Sequence, residues 1–214
     1  MKIKILKKLK NIVGEKNVLT DEALLNCYSR DFFPGKAYKP NVVVKPRNVK
    51  EVMQIVSLAN KEKIPVTPRG AGTSVTGSPL PVYGGIVMDL MEMNRILEFD
   101  GDSYQVTVEP GVVWRDLNKF LEEKGFFFPT LPGSLSVSTV GGYLAVGGGG
   151  LRSVKYGTVR MNTMQIEVVL PNGKLVKLGS KTLKNSCGYD LKDCLLYTSP
   201  SPRDLSTSRM PSSA

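Results

Sequence analysis

The stretch Pro65-Val-Thr-Pro-Arg-Gly-Ala-Gly-Thr-Ser-Val-Thr-Gly77 follows directly on an apolar run and gathers glycines, small hydroxyl residues and one arginine. Its composition is that of a loop built to hold a phosphate group. Gly70, Gly72 and Gly77 can take positive φ and bring the backbone close to a ligand, so that successive amide N–H groups converge on an anion. Thr73, Ser74 and Thr76 add hydroxyl donors, and Arg69 adds a rigid cationic fork. The two common phosphate motifs do not fit. A Walker loop needs G-x-x-x-x-G-K-[ST], and no lysine follows a glycine here at that spacing. A Rossmann fingerprint needs a third glycine where this chain has Val75. An ordinary Gly/Ser/Thr surface turn is the bland alternative, and a second glycine-rich segment downstream weighs against it.

The 214 residues suffice for a sizeable core in one or two domains, and 41% hydrophobic with 22% charged residues is ordinary for a globular chain. The net charge of +10 raises the possibility of nucleic-acid binding. The lysines are dispersed, however, apart from the run Lys2 to Lys10, and no helix-turn-helix, zinc-finger or RNP pattern appears. No nucleic-acid partner is expected, and the charge reads as a solvated surface with some attraction for anions. Histidine is absent, so this chain has no imidazole base, no histidine metal ligand and no histidyl attachment point for a cofactor. The three cysteines, Cys27, Cys187 and Cys194, form no C-x-x-C pair, which argues against zinc or an iron–sulfur cluster within the chain. Scattered, odd-numbered thiols fit a reducing cytoplasm. No signal peptide and no apolar run long enough to span a bilayer is evident.

Outward from the loop, the pattern alternates between the two periodicities. Ile3, Ile5, Leu6, Leu9, Ile12 and Val13 predict an amphipathic helix closed near Gly14, docked on a core rather than on a membrane. A second helix is expected from Thr20-Asp21-Glu22 through Tyr28. Val42–Val44 reads as a buried strand, Asn48 with Glu51 as a capping-box start, and Ile64–Thr67 as a strand feeding the loop. Further strands are expected over Gly85–Asp89, Ile96–Phe99 and Tyr104–Val108, and a helix through Trp114, Leu117, Phe120 and Leu121, closed by Gly125. The helical spacing makes those last four core residues. From Phe128 to Gly157 turn chemistry dominates, with a short packed helix around Val140, Leu144 and Ala145, and the segment reads as a second ligand-facing loop. Met164–Leu170 and Lys174–Leu178 form a hairpin about Asn172-Gly173. After Asp193 the chain becomes serine- and proline-rich without periodicity, and residues 194–214 are expected to be a disordered tail. The tail also resembles translated sequencing-adapter read-through. The chain is then expected to be the front of a longer protein.

Taken together, Pro68-Arg-Gly-Ala-Gly-Thr-Ser with Gly77, Val108-Glu-Pro-Gly111, Pro132-Gly-Ser134, Thr139-Val-Gly-Gly142 and Lys155-Tyr-Gly157 resemble the PCMH-type FAD-binding domain of the vanillyl-alcohol oxidase superfamily. Within it, the resemblance is to the group of glycolate oxidase flavin subunits and the D-lactate and D-2-hydroxyglutarate dehydrogenases, and it runs from about Val18 to Asp193. It implies an α+β fold of two α/β subdomains with FAD between them, the second subdomain incomplete. The implied division is an N-terminal helical segment, 1–38, the FAD-binding domain, 39–193, and the tail. By position, Arg69, Gly70, Ala71, Gly72, Thr73, Ser74 and Gly77 would bind the FAD pyrophosphate. Pro132, Gly133, Ser134, Thr139, Gly142, Ala145, Gly149, Gly150, Tyr156 and Gly157 would line the flavin and its ribityl chain.

The chain departs from many relatives at Tyr143, where they carry asparagine, and at Gly147-Gly148, where they carry Asn-Ala. The family's Gly-Ser-Glu-Gly-like segment and its substrate-binding cap have no counterpart after Asp193. The implied activity is oxidation of a small 2-hydroxy acid such as glycolate or D-lactate, with electrons passed to a quinone, an iron–sulfur partner subunit or another acceptor. FAD would be bound non-covalently, and no catalytic or metal-binding residue is assigned. The expected location is cytoplasmic, with membrane association only through a partner. Rival readings are another flavoenzyme of the same fold, such as an enolpyruvoyl reductase or a sugar oxidase, and a non-catalytic FAD-binding fragment.

Overall fold

The computed structural model describes residues 3–182 and 188–198. Helix α1, Ile3–Val13, buries Ile5, Leu9 and Val13, one residue per helical turn on a single face. Gly14, at φ 85°, ends it. A one-turn 3-10 helix, Glu15–Asn17, leads into β1, Val18–Leu19. Helix α2, Glu22–Cys27, starts at Asp21, whose carboxylate accepts from the amides of Ala23 and Leu24. Strand β2, Val42–Val44, precedes α3, Val49–Glu62. Asn48 caps α3 by accepting from Glu51 N at 3.0 Å, and Glu51 in turn accepts from Arg47 N at 2.8 Å.

Strands β3, Val66–Arg69, and β4, Ile86–Asp89, complete a four-stranded sheet in the order β1-β2-β4-β3. β1 is antiparallel to β2, whereas β2, β4 and β3 run parallel. Both faces of this sheet are covered, which is why β2 and the first three residues of β4 are apolar and both strands are buried throughout. Val42, Val44, Ile86 and Met88 point toward Ile5, Leu9, Ile55 and Ala59 of α1 and α3. Val43 and Val87, with the opposite parity, meet Leu25 of α2 and Tyr28. Because the three strands are parallel, Val44, Arg69 and Asp89 share one edge of the sheet. In open parallel sheets, ligands bind outside that C-terminal edge.

A second unit follows. Strands β5, Ile96–Asp100, and β6, Gln105–Val108, form an antiparallel hairpin. Helix α4, Trp114–Glu122, buries Trp114, Leu117 and Leu121, and Gly125 at φ 82° closes it. Around these gather Phe99, Phe120, Phe126, Phe128 and Tyr143, with Tyr143 edge-on to Trp114 at 5.6 Å. Helix α5, Val140–Ala145, lays Val140 and Leu144 on the same cluster. A short helix α6, Ser153–Tyr156, is followed by the hairpin of β7, Gln165–Val169, and β8, Leu175–Gly179, and by α7, Leu191–Thr198. The hairpin turn leans on the first unit, since a Cβ at Gly173 would lie 2.8 Å from Ser57 Cβ of α3.

Three local expectations shift. The strand into the loop begins at Val66 rather than Ile64, because Ile64 N still bonds Ala59 O at 2.9 Å and belongs to the C-terminal cap of α3. Helix α6 lies in a region read as turn and loop. The expected tail boundary at 194 falls inside α7, where Lys192 and Leu196 are buried; residues 199–214 lie outside the described residues. Cys187 also lies outside them.

A buried carboxylate locks the entry to the second unit. Glu109 accepts from Arg95 Nη2 at 2.7 Å, Nε at 3.2 Å and the backbone N at 2.8 Å. Burial pushes its pKa up, but the hydrogen bonds and charge of Arg95 prevail and hold it below the ordinary value of 4.5. A depressed folded-state pKa contributes stability that is present above the ordinary value and lost as pH falls through the depressed one. The Glu109→Gln chain is therefore expected to melt below the parent at neutral pH, with the gap closing as pH drops under 4.5. Thermal unfolding across that range measures it.

Candidate functional site

The glycine loop leaves β3 at the C-terminal edge of the parallel sheet and meets the start of α5. The contact is at Gly70, where a Cβ would stand 2.3 Å from Thr139 Oγ1. Thr139 cannot easily turn away, because the same oxygen caps α5 by accepting from Gly142 N. Its backbone is held too, by Trp114 N donating to Ser138 O at 3.0 Å and Val140 N to Val112 O at 2.8 Å. Hydroxyls then bridge the two segments: Thr73 Oγ1 lies 3.3 Å from Ser138 Oγ, which is also hydrogen-bonded to Ser134 Oγ. Gly70, Thr73, Ser134, Thr139 and Gly142 are thus brought into one cluster.

Gly70 itself does not have positive φ, unlike Gly72 at 70° and Gly77 at 75°, so its role is close approach rather than a left-handed turn. The rest of the loop divides. Ser74, Thr76 and Ser78 hydrogen-bond one another, at 2.9 and 2.8 Å, and shape the turn. Ala71 is half-buried between Gly70 and Gly72. Arg69 does not stand open as a fork, because its Nη2 donates to Arg30 O at 2.8 Å and its Nη1 to Tyr28 O at 3.5 Å.

The second small-residue segment folds around a buried threonine. Thr130 Oγ1 donates to Gly157 O at 2.8 Å, and Asn162 Nδ2 donates to the carbonyls of Tyr156 and Thr158, both at 2.9 Å. A Cβ at Gly150 would sit 2.0 Å from Leu131 O, so Gly150 lies against the backbone just before Pro132 without room for a side chain. Gly149 packs on Ser153, whose Oγ accepts from Gly150 N at 2.8 Å. Pro132 is buried, Gly133 and Ala145 are exposed, and nothing lies within 4 Å of a Cβ built on Gly133. Tyr156 is edge-on to Phe127 at 6.3 Å.

Sequence reasoning overlooked Ser138, Tyr143 and the pair Tyr28–Asp89. Ser138 was signalled by the alternating serines at 134, 136 and 138, which put three hydroxyls before Thr139. The Tyr143 hydroxyl is buried with no hydrogen-bond partner, and its oxygen would lie 3.5 Å from a Cβ on Gly150. Asp89, at the end of β4, is 4% exposed and accepts from Tyr28 OH at 2.6 Å and Met91 N at 3.0 Å, with Lys45 Nζ at 3.9 Å. Burial first, and then this hydrogen bond to a carboxylate, push the Tyr28 pKa well above its usual value, so the phenol stays a neutral donor. No signal short of the fold could have paired residues 61 positions apart.

Among the described residues, no group of three or more His, Cys, Asp or Glu is arranged to hold a metal ion, and no helix is long and apolar enough to cross a membrane. The site is a seam where the two small-residue segments meet, built of backbone, hydroxyls and residues without side chains. It suits a dinucleotide, whose pyrophosphate takes amide and hydroxyl donors and whose rings need walls that a Cβ would obstruct. The buried Tyr143 hydroxyl beside Gly150 has no hydrogen-bond partner.

The comparisons with known proteins agree with that geometry. Residues 40–179 match the FAD binding domain family, and the chain belongs to it. It is 38% identical over 180 residues to the glycolate oxidase subunit GlcD of Bacillus subtilis, covering 84% of this chain and 38% of that protein. It is 38% identical to a D-lactate dehydrogenase of Anaerostipes hadrus, covering 86% of this chain and 39% of that one. The chain thus spans well under half the length of these curated relatives. Its fold superposes on p-cresol methylhydroxylase with substrate bound at a TM-score of 0.79 and 26% identity, covering 91% of this chain and 40% of that one. It superposes on alkyldihydroxyacetonephosphate synthase at 0.80 and 24% identity, covering 91% and 37%, a likeness of fold. The α+β, PCMH-type fold read from the motifs is thereby shown, and FAD is the cofactor of the family.

Substitutions at the cradle test its geometry. Gly70→Ala must displace the Thr139 cap, and Gly150→Ala must displace the Leu131 carbonyl, each expected to cost about 1–3 kcal/mol of stability and to weaken FAD binding. Gly133→Ala, in open space, is expected to leave the melting temperature unchanged. Thermal melts and fluorescence titration with FAD compare the three.

Proposed function

We propose that this chain is the FAD-binding portion of a flavin-dependent oxidoreductase acting on a small 2-hydroxy acid such as glycolate or D-lactate. The observation that carries the reading is the Gly70–Thr139 contact, which joins the two small-residue segments at the C-terminal edge of the parallel sheet. The names of the relatives support the substrate class, since those at 37–38% identity include a glycolate oxidase subunit and D-lactate dehydrogenases.

In this reading the amides of residues 70–77 and the hydroxyls of Thr73, Ser134, Ser138 and Thr139 bind the pyrophosphate. The Gly142–Gly150 segment, clamped against Leu131, orients the ring system and keeps side chains out of its path. Bound FAD supplies a two-electron acceptor for oxidation at the substrate α-carbon. These residues bind and orient, and none is assigned as the base. These residues offer no histidyl attachment point, and in this reading FAD is held non-covalently. Electrons would pass to a separate acceptor, of which an iron–sulfur partner subunit is one, and a cytoplasmic location with membrane association through that partner is part of the same reading.

The test is to titrate the purified chain with FAD and then add glycolate or D-lactate without oxygen. Saturable FAD binding, with all flavin released into solution on acid precipitation, is expected. Bleaching of the flavin by a 2-hydroxy acid would support the oxidoreductase reading. Binding with no bleaching would confine this chain to holding the cofactor, and the same assay on the full-length gene product then decides between a 2-hydroxy-acid oxidoreductase and a non-catalytic FAD-binding module; absence of FAD binding would sink both.

A further inference from the structure

Residues 28–35 precede the family match at 40–179, yet they wrap the glycine loop. Two kinds of contact hold them there. The Arg69 guanidinium donates to the carbonyls of Tyr28 and Arg30 and stacks over the Tyr28 ring at 5.4 Å. The Phe33 ring lies on Gly77 at the other end of the loop, where a Cβ would be 3.4 Å from Phe33 Cδ1. The Arg69 side chain also occupies the space over Gly72, where a Cβ would fall 2.3 Å from Nη2, so Gly72 accommodates the arginine as well as the turn.

The segment is anchored in its own right. Tyr28 OH donates to buried Asp89, Tyr38 N donates to Ser29 O at 2.9 Å, and Phe33 N donates to Asp31 Oδ1 at 2.9 Å. The other Asp31 oxygen is buried without a hydrogen-bond partner, and Asp31 is the largest opposite charge acting on Arg69. A guanidinium engaged by two backbone carbonyls has fewer N–H groups left for an external anion.

We propose that residues 28–35 are a positioning strap for the cofactor loop. Arg69 is its fastening: it binds this chain's own carbonyls and so fixes residues 70–77 in the shape that presents their amides. The inference rests on the FAD reading of that loop and assigns Arg69 to positioning rather than to the pyrophosphate.

The test uses the full chain with Arg69→Met, Phe33→Ala and the double substitution. Phe33 is 42% exposed, so its truncation leaves the core intact. Without FAD, each substitution is expected to speed amide hydrogen exchange across residues 70–77 and leave β2 and β4 protected. With FAD, each is expected to weaken binding by about tenfold, equally at low and high salt, and less than additively in the double variant. Unchanged exchange at 70–77 would overturn the strap. So would a salt-sensitive loss confined to Arg69→Met, which is the signature of direct pyrophosphate contact. Failure of the unsubstituted chain to bind FAD would instead overturn the cofactor reading on which the strap's purpose rests.

Discussion

Two α/β units meet along a seam where one backbone lies directly on another, and the arrangement depends on positions that carry no Cβ. At Gly70 the loop after β3 touches the cap of α5. At Gly111 an added Cβ would fall 2.3 Å from Leu90 O and 2.7 Å from Met93 O, and at Gly141 2.5 Å from Pro110 Cβ. Gly111 N donates to Met93 O at 2.7 Å and Gly141 N to Pro110 O at 2.9 Å, so the approach also satisfies polar groups that would otherwise be stranded. A side chain at Gly70 would push the units apart, and the hydroxyl bridge from Thr73 through Ser138 to Ser134 would open with them, whereas one at Gly141 would disturb the packing of α5 within the second unit.

That geometry explains the chemistry of the cradle. Its donors are neutral amides and hydroxyls, while the nearby charges are committed elsewhere: Arg69 to backbone carbonyls, Arg95 to Glu109, and Asp89 to the Tyr28 phenol. Under the proposed reading, fixed dipoles of this kind would stabilise an anion without the desolvation cost of a buried cation. The rigid parts are those with buried partners, namely the parallel sheet beneath the loop and the Trp114 cluster beneath α5.

Much of this was legible in the residues. The Val42–Val44 run announced a buried strand, the Asn48/Glu51 spacing placed the start of α3, and Asn172-Gly173 placed the hairpin. Local signals carry such information because caps and turns are satisfied within a few residues. Less legible were the roles inside the loop. Gly70 reads as a turn glycine, yet it serves close packing. Arg69 reads as an anion fork, yet its partners lie 39 and 41 residues earlier in the chain. Ser138 and the Tyr143 hydroxyl acquire meaning only when another segment is laid beside them.

Residue order alone carried most of the strands and helices, the two small-residue segments and the absence of any histidyl attachment point for a cofactor. Those are consequences of residue type and short-range spacing. The packing of the two cores, not residue order, set Gly70 against Thr139, turned Arg69 inward to residues 28–30, and joined the two small-residue segments through hydroxyls. The reason is that a close approach between distant segments is set by how the two cores pack, and a glycine records that room was needed without recording what fills it.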